Sequence, residues 1–198
     1  MSTRLEYRDD LNHKLLALED GGYGDFDYDD TDLNFFLEVA IARLFPYIYK
    51  KASETLTLTD YGTNGRSSVT PTFPERVFLI EDATERVPLV GWKVSGTNIV
   101  NLDKYGSGFV TSSVNVYYYD AYSLPADDVT DAGISDVYTP LIVLGAQIEA
   151  LEARLDSGVR GDPPPTGQFQ EVPLLDRLIA RYDKLRDGLA MTLPGVTL

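Results

Sequence analysis

The stretch 33-LNFFLEVAIARLFPYIYKKASETLTLTD-60 changes its hydrophobic period once, and that change decides the fold. Up to residue 48, Leu33, Phe36, Leu37, Ala40, Ile41, Leu44 and Ile48 recur at steps of three and four, which predicts a helix with one wide apolar face. Pro46 is expected to end or kink it near its last turn. From Glu54 to Asp60 polar and apolar residues alternate, the period of a strand with one face on a core.

Outward from this switch the same two periods sort the rest of the chain. On the N-terminal side Leu11, Leu15 and Leu18 predict a helix over roughly 5–19, closed by Gly21-Gly22. On the C-terminal side 76-RVFLI-80 reads as a strand and 89-LVGWKVSGTNIVNLD-103 as a hairpin turning at 95–98. The Val- and Tyr-rich run 109–122 reads as a further strand. Helical spacing returns twice, at Leu141, Leu144, Ile148, Leu151 and Leu155 and at Leu175, Leu178, Tyr182, Leu185 and Leu189. Thr139 and Pro140 suit the start of the first of these helices, and the second is expected to follow Pro173. The triple proline in 156–170 makes a stiff loop between them. The expected fold is therefore α+β: an N-terminal helix pair, an inserted antiparallel β-module and C-terminal helices. Residues 1–52 and 137–198 form the helical part, 53–122 the β-module of four to six strands, and 123–136 a connecting loop.

The 198 residues include 31 acids and 17 bases, a net charge of −14. That disfavours sequence-independent binding to duplex DNA. Residues 1–32 hold ten acids against Arg4, Arg8 and Lys14, half of the net charge in a sixth of the chain. No apolar run reaches the length of a membrane span, and the N-terminus lacks a signal-peptide core. Without cysteine there are neither disulfides nor zinc–thiolate sites.

The alternating acids of 25-DFDYDDTD-32 invite a calcium reading. Counted from Asp25, however, the sixth residue is Asp30 where an EF-hand needs glycine, and the twelfth is Phe36 where it needs glutamate. A helix entrance explains the stretch better: Asp29 or Asp30 supplies a cap oxygen and Asp32 sits in the first turn, at the positive end of the helix dipole. Neither a metal nor a cofactor is expected. His13 stands beside Lys14 with no nucleophile in register, and no phosphate-loop spacing occurs, so catalysis is not expected either. The tyrosines at 117–119 lack basic neighbours and read as structural. Arg177, Arg181 and Lys184 gather on the last helix, either as a solvated face or as a contact for an acidic partner.

The phrases 29-DDTDLNFFLEVAIARLFP-46, 54-ETLTLTDYG-62, 92-WKVSGTNIVNLD-103, 114-VNVYYYDAYSLPADD-128, 138-VYTPLIVLGAQIEAL-151 and the terminal RYDKLRDGL helix together resemble the head-to-tail adaptors of long-tailed bacteriophages. The β-module is bulkier than in the compact all-helical adaptors. The resemblance implies a structural virion protein of the head–tail neck, assembled in the host cytoplasm. It implies a ring, usually twelvefold, docked beneath the portal protein, followed by a stopper, and passing double-stranded DNA without specific binding. Twelve copies would carry about −170, a charge to which DNA does not adhere. It also implies a portal contact through the C-terminal region: Leu189, Met191 and Leu193 buried on the portal, with Arg177, Arg181 and Lys184 meeting its acids. The rivals are another neck component, a stopper or tail terminator, expected to be mainly β, and an unrelated acidic protein-binding module.

Overall fold

The computed structural model describes residues 2–23, 26–61, 66–102, 113–159 and 168–190, and the fold is α+β. The chain divides into two units, residues 1–48 with 121–198, and residues 49–120.

The first unit is helical. Helix α1 (Arg4–Asp20) opens on a capping box that the leucine spacing alone did not indicate. The Thr3 hydroxyl accepts the Glu6 N–H at 3.3 Å, while the Glu6 carboxylate accepts the Thr3 N–H at 2.8 Å. The helix closes at Gly21, and Gly22, at φ 81°, supplies the left-handed residue that turns the chain. Helix α2 (Asp30–Arg43) buries Leu33, Phe36, Leu37, Ala40 and Ile41, and Leu44 and Ile48 beyond its end are buried too. The apolar face read from the sequence is thus the packed one.

Helix α3 (Thr139–Val159) is the centre of this unit, packed by α1, α2 and α4 (Gln168–Ala190). The spacing predicts one apolar seam for α3. The structure buries it almost all round its first three turns, adding Ile142, Val143 and Ala146 to Leu141, Leu144, Ile148 and Leu151. Three boundaries differ from expectation. Thr139 does not cap: a 3-10 turn at Asp136–Tyr138 runs into the helix, and Thr139 is itself helical at φ −50°, ψ −48°. α3 continues to Val159, and α4 starts at Gln168, ahead of Pro173, so the expected loop is shorter at both ends. Along α4 the predicted seam also drifts. Leu175, Leu178 and Tyr182 pack on the core with Ile179, whereas Leu185 is 43% exposed.

Among the described residues the second unit holds seven strands, more than the four to six expected, in two separate antiparallel sheets. The first sheet has the order β1-β7-β4, with β1 at Lys50–Thr57, β4 at Val77–Asp82 and β7 at Ser113–Asp120 in the middle. In β1 every second residue turns inward, as the alternation requires, and Leu56 pairs with Val114. The second sheet has the order β2-β3-β6-β5, from Thr59–Tyr61, Arg66–Val69, Asn98–Val100 and Lys93–Ser95. The β5–β6 pair is the hairpin read from 95-SGTN-98, its turn eased by Gly96 at φ 61°. The core is small: Val69, Ile80, Leu89, Ile99, Leu102, Val114 and Val116, with Trp92 and Val77 packed on it. Tyr118 and Tyr119 are structural, facing Phe73 at 5.7 Å and stacking on Phe78 at 4.5 Å.

Candidate functional site

The acidic entrance resolves into a single cap. Asp29 accepts the N–H groups of Thr31 at 2.7 Å and Asp32 at 2.9 Å, and these two bonds hold its carboxyl below the usual carboxylate range. Asp30 is already helical, and its carboxylate faces Arg8 at 3.4 Å. Asp32 lies in the first turn. Below them Tyr28 meets Phe36 edge to face at 5.0 Å and donates its hydroxyl to the Ala150 carbonyl at 2.7 Å. Asp25 lies outside the described residues.

Among the described residues no group of three or more His, Asp or Glu side chains is placed to hold a metal ion. Among the same residues no helix is long and apolar enough to cross a membrane. His13 is exposed on α1.

Of the residues expected at a portal contact, Arg177, Arg181 and Lys184 are all exposed on α4. Leu189 is half-buried against the helical core of its own chain, so its side chain is already in use within the unit. Met191 and Leu193 lie outside the described residues.

The pairing of α3 with α4 leaves a groove on either side. The first, of about 320 Å³, is completed by α2. Its cations are neutralised inside the chain: Arg43 pairs with Glu149, and Arg186 with Asp183 at 3.0 Å. The Arg186 guanidinium also lies 5.4 Å from the Tyr47 ring. Gly145 lets the backbones approach here, because a Cβ at that position would stand 3.1 Å from both the Ala40 Cβ and the Tyr182 ring. Tyr182 is buried, its hydroxyl has no hydrogen-bond partner among the described residues, and burial pushes its pKa up.

The second groove, of about 330 Å³, is completed by α1. Val143 and Leu144 form its apolar floor, and Lys14 and Arg181 stand at its rim with Asp10. None of these three charged groups makes an ion pair within 4 Å among the described residues. Gln147, only 7% exposed, lines the same groove. Sequence spacing did not single out Lys14 or Gln147. The one signal present was a lone amide inside the apolar run 141-LIVLGAQIEAL-151.

A third polar cluster ties the segment after the β-unit to α1. Asp128 accepts from Arg4 at 2.7 Å and from Arg8 at 2.9 Å, and the bond from Arg4 is the larger reason its carboxyl sits below the usual range. Ser2 and Ala132 bond backbone to backbone at 3.2 Å beside it.

No model of a known protein family matches the chain, and no curated protein matches it either.

Proposed function

We propose that the chain is a head-to-tail adaptor, a structural protein that rings the exit of a portal and lines a passage for DNA. The observation that carries this reading is the outer surface of α4. In a chain of net charge −14, Arg177, Arg181 and Lys184 are exposed together on one helix, next to exposed Val172 and Leu185. Mixed basic and apolar exposure of this kind suits a protein contact better than solvent. The acidity of the whole chain suits a channel wall that repels the DNA passing it. The four-helix unit is also at odds with the mainly β architecture expected of a stopper or tail terminator.

The test is assembly. The purified protein is imaged by negative stain with and without the portal protein from the same genome, and its mass is followed by light scattering. Ring-shaped particles that cap the portal are the expected result. A chain that neither forms rings nor attaches to portal or to DNA-filled heads is not an adaptor. Deleting residues 188–198 separates the anchors. Loss of attachment assigns it to the C-terminal tail, and unchanged attachment leaves it to Arg177, Arg181 and Lys184.

A further inference from the structure

We propose that the groove between α1, α3 and α4 is a docking site for an acidic segment of a partner protein, one in which a carboxylate stands beside an apolar side chain. The inference deepens the reading of α4 as a partner-facing helix and rests on that part of it.

Charge is the first argument. The chain has nearly two acids for every base, so cations left over are scarce. In the groove on the α2 side both cations are spent on Glu149 and Asp183. Lys14 and Arg181 line the other groove without an ion pair among the described residues, although Asp10 is one helical turn from Lys14. Two cations against one carboxylate leave a net single positive charge, which matches one carboxylate and is poorly matched to a phosphate dianion that would also face Asp10.

The groove-lining amide is the second. Gln147 is more than nine-tenths buried as a residue and lines the groove, and its amide atoms still reach the groove's solvent. Its NH₂ is a donor that can bond water in the open groove or a ligand acceptor that displaces it. A carboxylate entering between Lys14 and Arg181 supplies that acceptor.

The floor is the third. Val143 and Leu144 lie beneath the charged rim, so an apolar side chain next to the carboxylate finds cover there. A free anion gains nothing from this floor, which is why the occupant is a protein segment.

The probe is a fluorescein-labelled peptide, Gly-Ser-Glu-Leu-Glu-Leu-Gly-Ser, read by anisotropy with the full chain. Its control carries glutamine in place of glutamate. The Glu peptide is expected to bind saturably and the Gln peptide not to. Lys14→Glu and Arg181→Glu each weaken binding by roughly tenfold or more, since each places a like charge against the peptide. Asp10→Asn tightens it by removing a competing carboxylate, and Gln147→Leu weakens it. Lys14 and Arg181 are exposed, so thermal melts of their variants should match the parent. Equal binding of the two peptides, or binding unmoved by both charge reversals, overturns the proposal. So does displacement by inorganic phosphate as effective as displacement by unlabelled Glu peptide. Charge reversal that changes the sedimentation of the chain alone also overturns it, by assigning the groove to a second copy. If peptide binding fails while the chain still attaches to portal, the groove assignment falls and the adaptor reading stands. If peptide binding holds while portal attachment fails, the adaptor reading falls and the docking site stands.

Discussion

The two grooves flanking α3 and α4 have similar volumes and share both helices, yet they differ in what their charges do. On the α2 side acid and base meet within the chain, and glycine brings the helices close around a buried tyrosine. On the α1 side the charges stay unpaired above an apolar floor. A charge satisfied inside the subunit contributes to its fold, and one left over at a groove is available to something else. The comparison teaches that the position of the scarce cations, not the total charge, marks a surface for recognition.

The largest effect should come from the close approach on the α2 side. Gly145→Val puts a branched side chain where even a Cβ would stand 3.1 Å from Ala40 and Tyr182. Overpacking of this kind costs about 1–3 kcal/mol, and urea unfolding should place the variant toward the upper end. A neutral result would show that this groove is as loose as its neighbour and would break the comparison. The Arg43–Glu149 pair is the next test. Glu149 is nearly buried but Arg43 is half exposed, so the pair is screened on one side. A double-mutant cycle with Arg43→Met and Glu149→Gln should give a coupling of about 1 kcal/mol. The equivalent cycle with Asp10→Asn and Lys14→Met should give one near zero. Equal couplings would erase the distinction between closed and open charges.

Three smaller effects concern acids committed inside the helical unit. Asp29→Ala removes both cap bonds of α2 and should lower the melting temperature by a few degrees. Asp30→Ala, which loses only its approach to Arg8, should lower it less. Asp128→Asn should also lower it at neutral pH, through the loss of the Arg4 and Arg8 bonds. The sign with pH is fixed by the direction of the shift. Because the folded carboxyl titrates below its unfolded value of about 3.9, its contribution is complete above that pH and is lost as pH falls toward the folded value. Melts of parent and variant should therefore converge below about pH 4. A gap that persists in acid would mean that Asp128 contributes shape rather than charge.

Much of this architecture was legible in the sequence because it is local. The 3-4 steps of α2 mark its buried face residue by residue, and the alternation from Glu54 marks β1. The strand order was not legible. Pairing Lys50 with Asp120 closes a loop of about seventy residues, and no short-range pattern encodes that contact. Nor was the split into two sheets, since each strand reads alike whichever sheet it joins. Pro173 misled because α4 begins five residues ahead of it, and the helix runs through its second turn with the proline inside. Thr3 and Glu6 did carry a capping-box signal, three residues apart at the head of α1. The basic face of α4 could be read from spacing. Its partner Lys14 on α1 could not, because only packing on α3 brings the two helices to one groove.

The smallest expected effect on stability is the sharpest test of the open groove. Gln147 places a primary amide in a nearly buried position whose polar atoms still reach the groove. An amide cut off from water and left unpaired would cost about 1–3 kcal/mol, and one that still touches water bears only part of that. Its contact with the groove reduces that cost, so Gln147→Leu, close in volume and without polar atoms, should leave stability unchanged or raise it by up to about 1 kcal/mol. A residue kept for the fold would behave in the opposite way, and its replacement by leucine would destabilise the unit through a lost hydrogen bond. Urea unfolding at pH 7 distinguishes the two. A loss of more than about 1 kcal/mol would mean that Gln147 is satisfied inside the protein and that the α1-side groove is as closed as the other. A gain, together with weakened peptide binding by the same variant, would mark Gln147 as a residue whose polarity serves a partner at the expense of the fold.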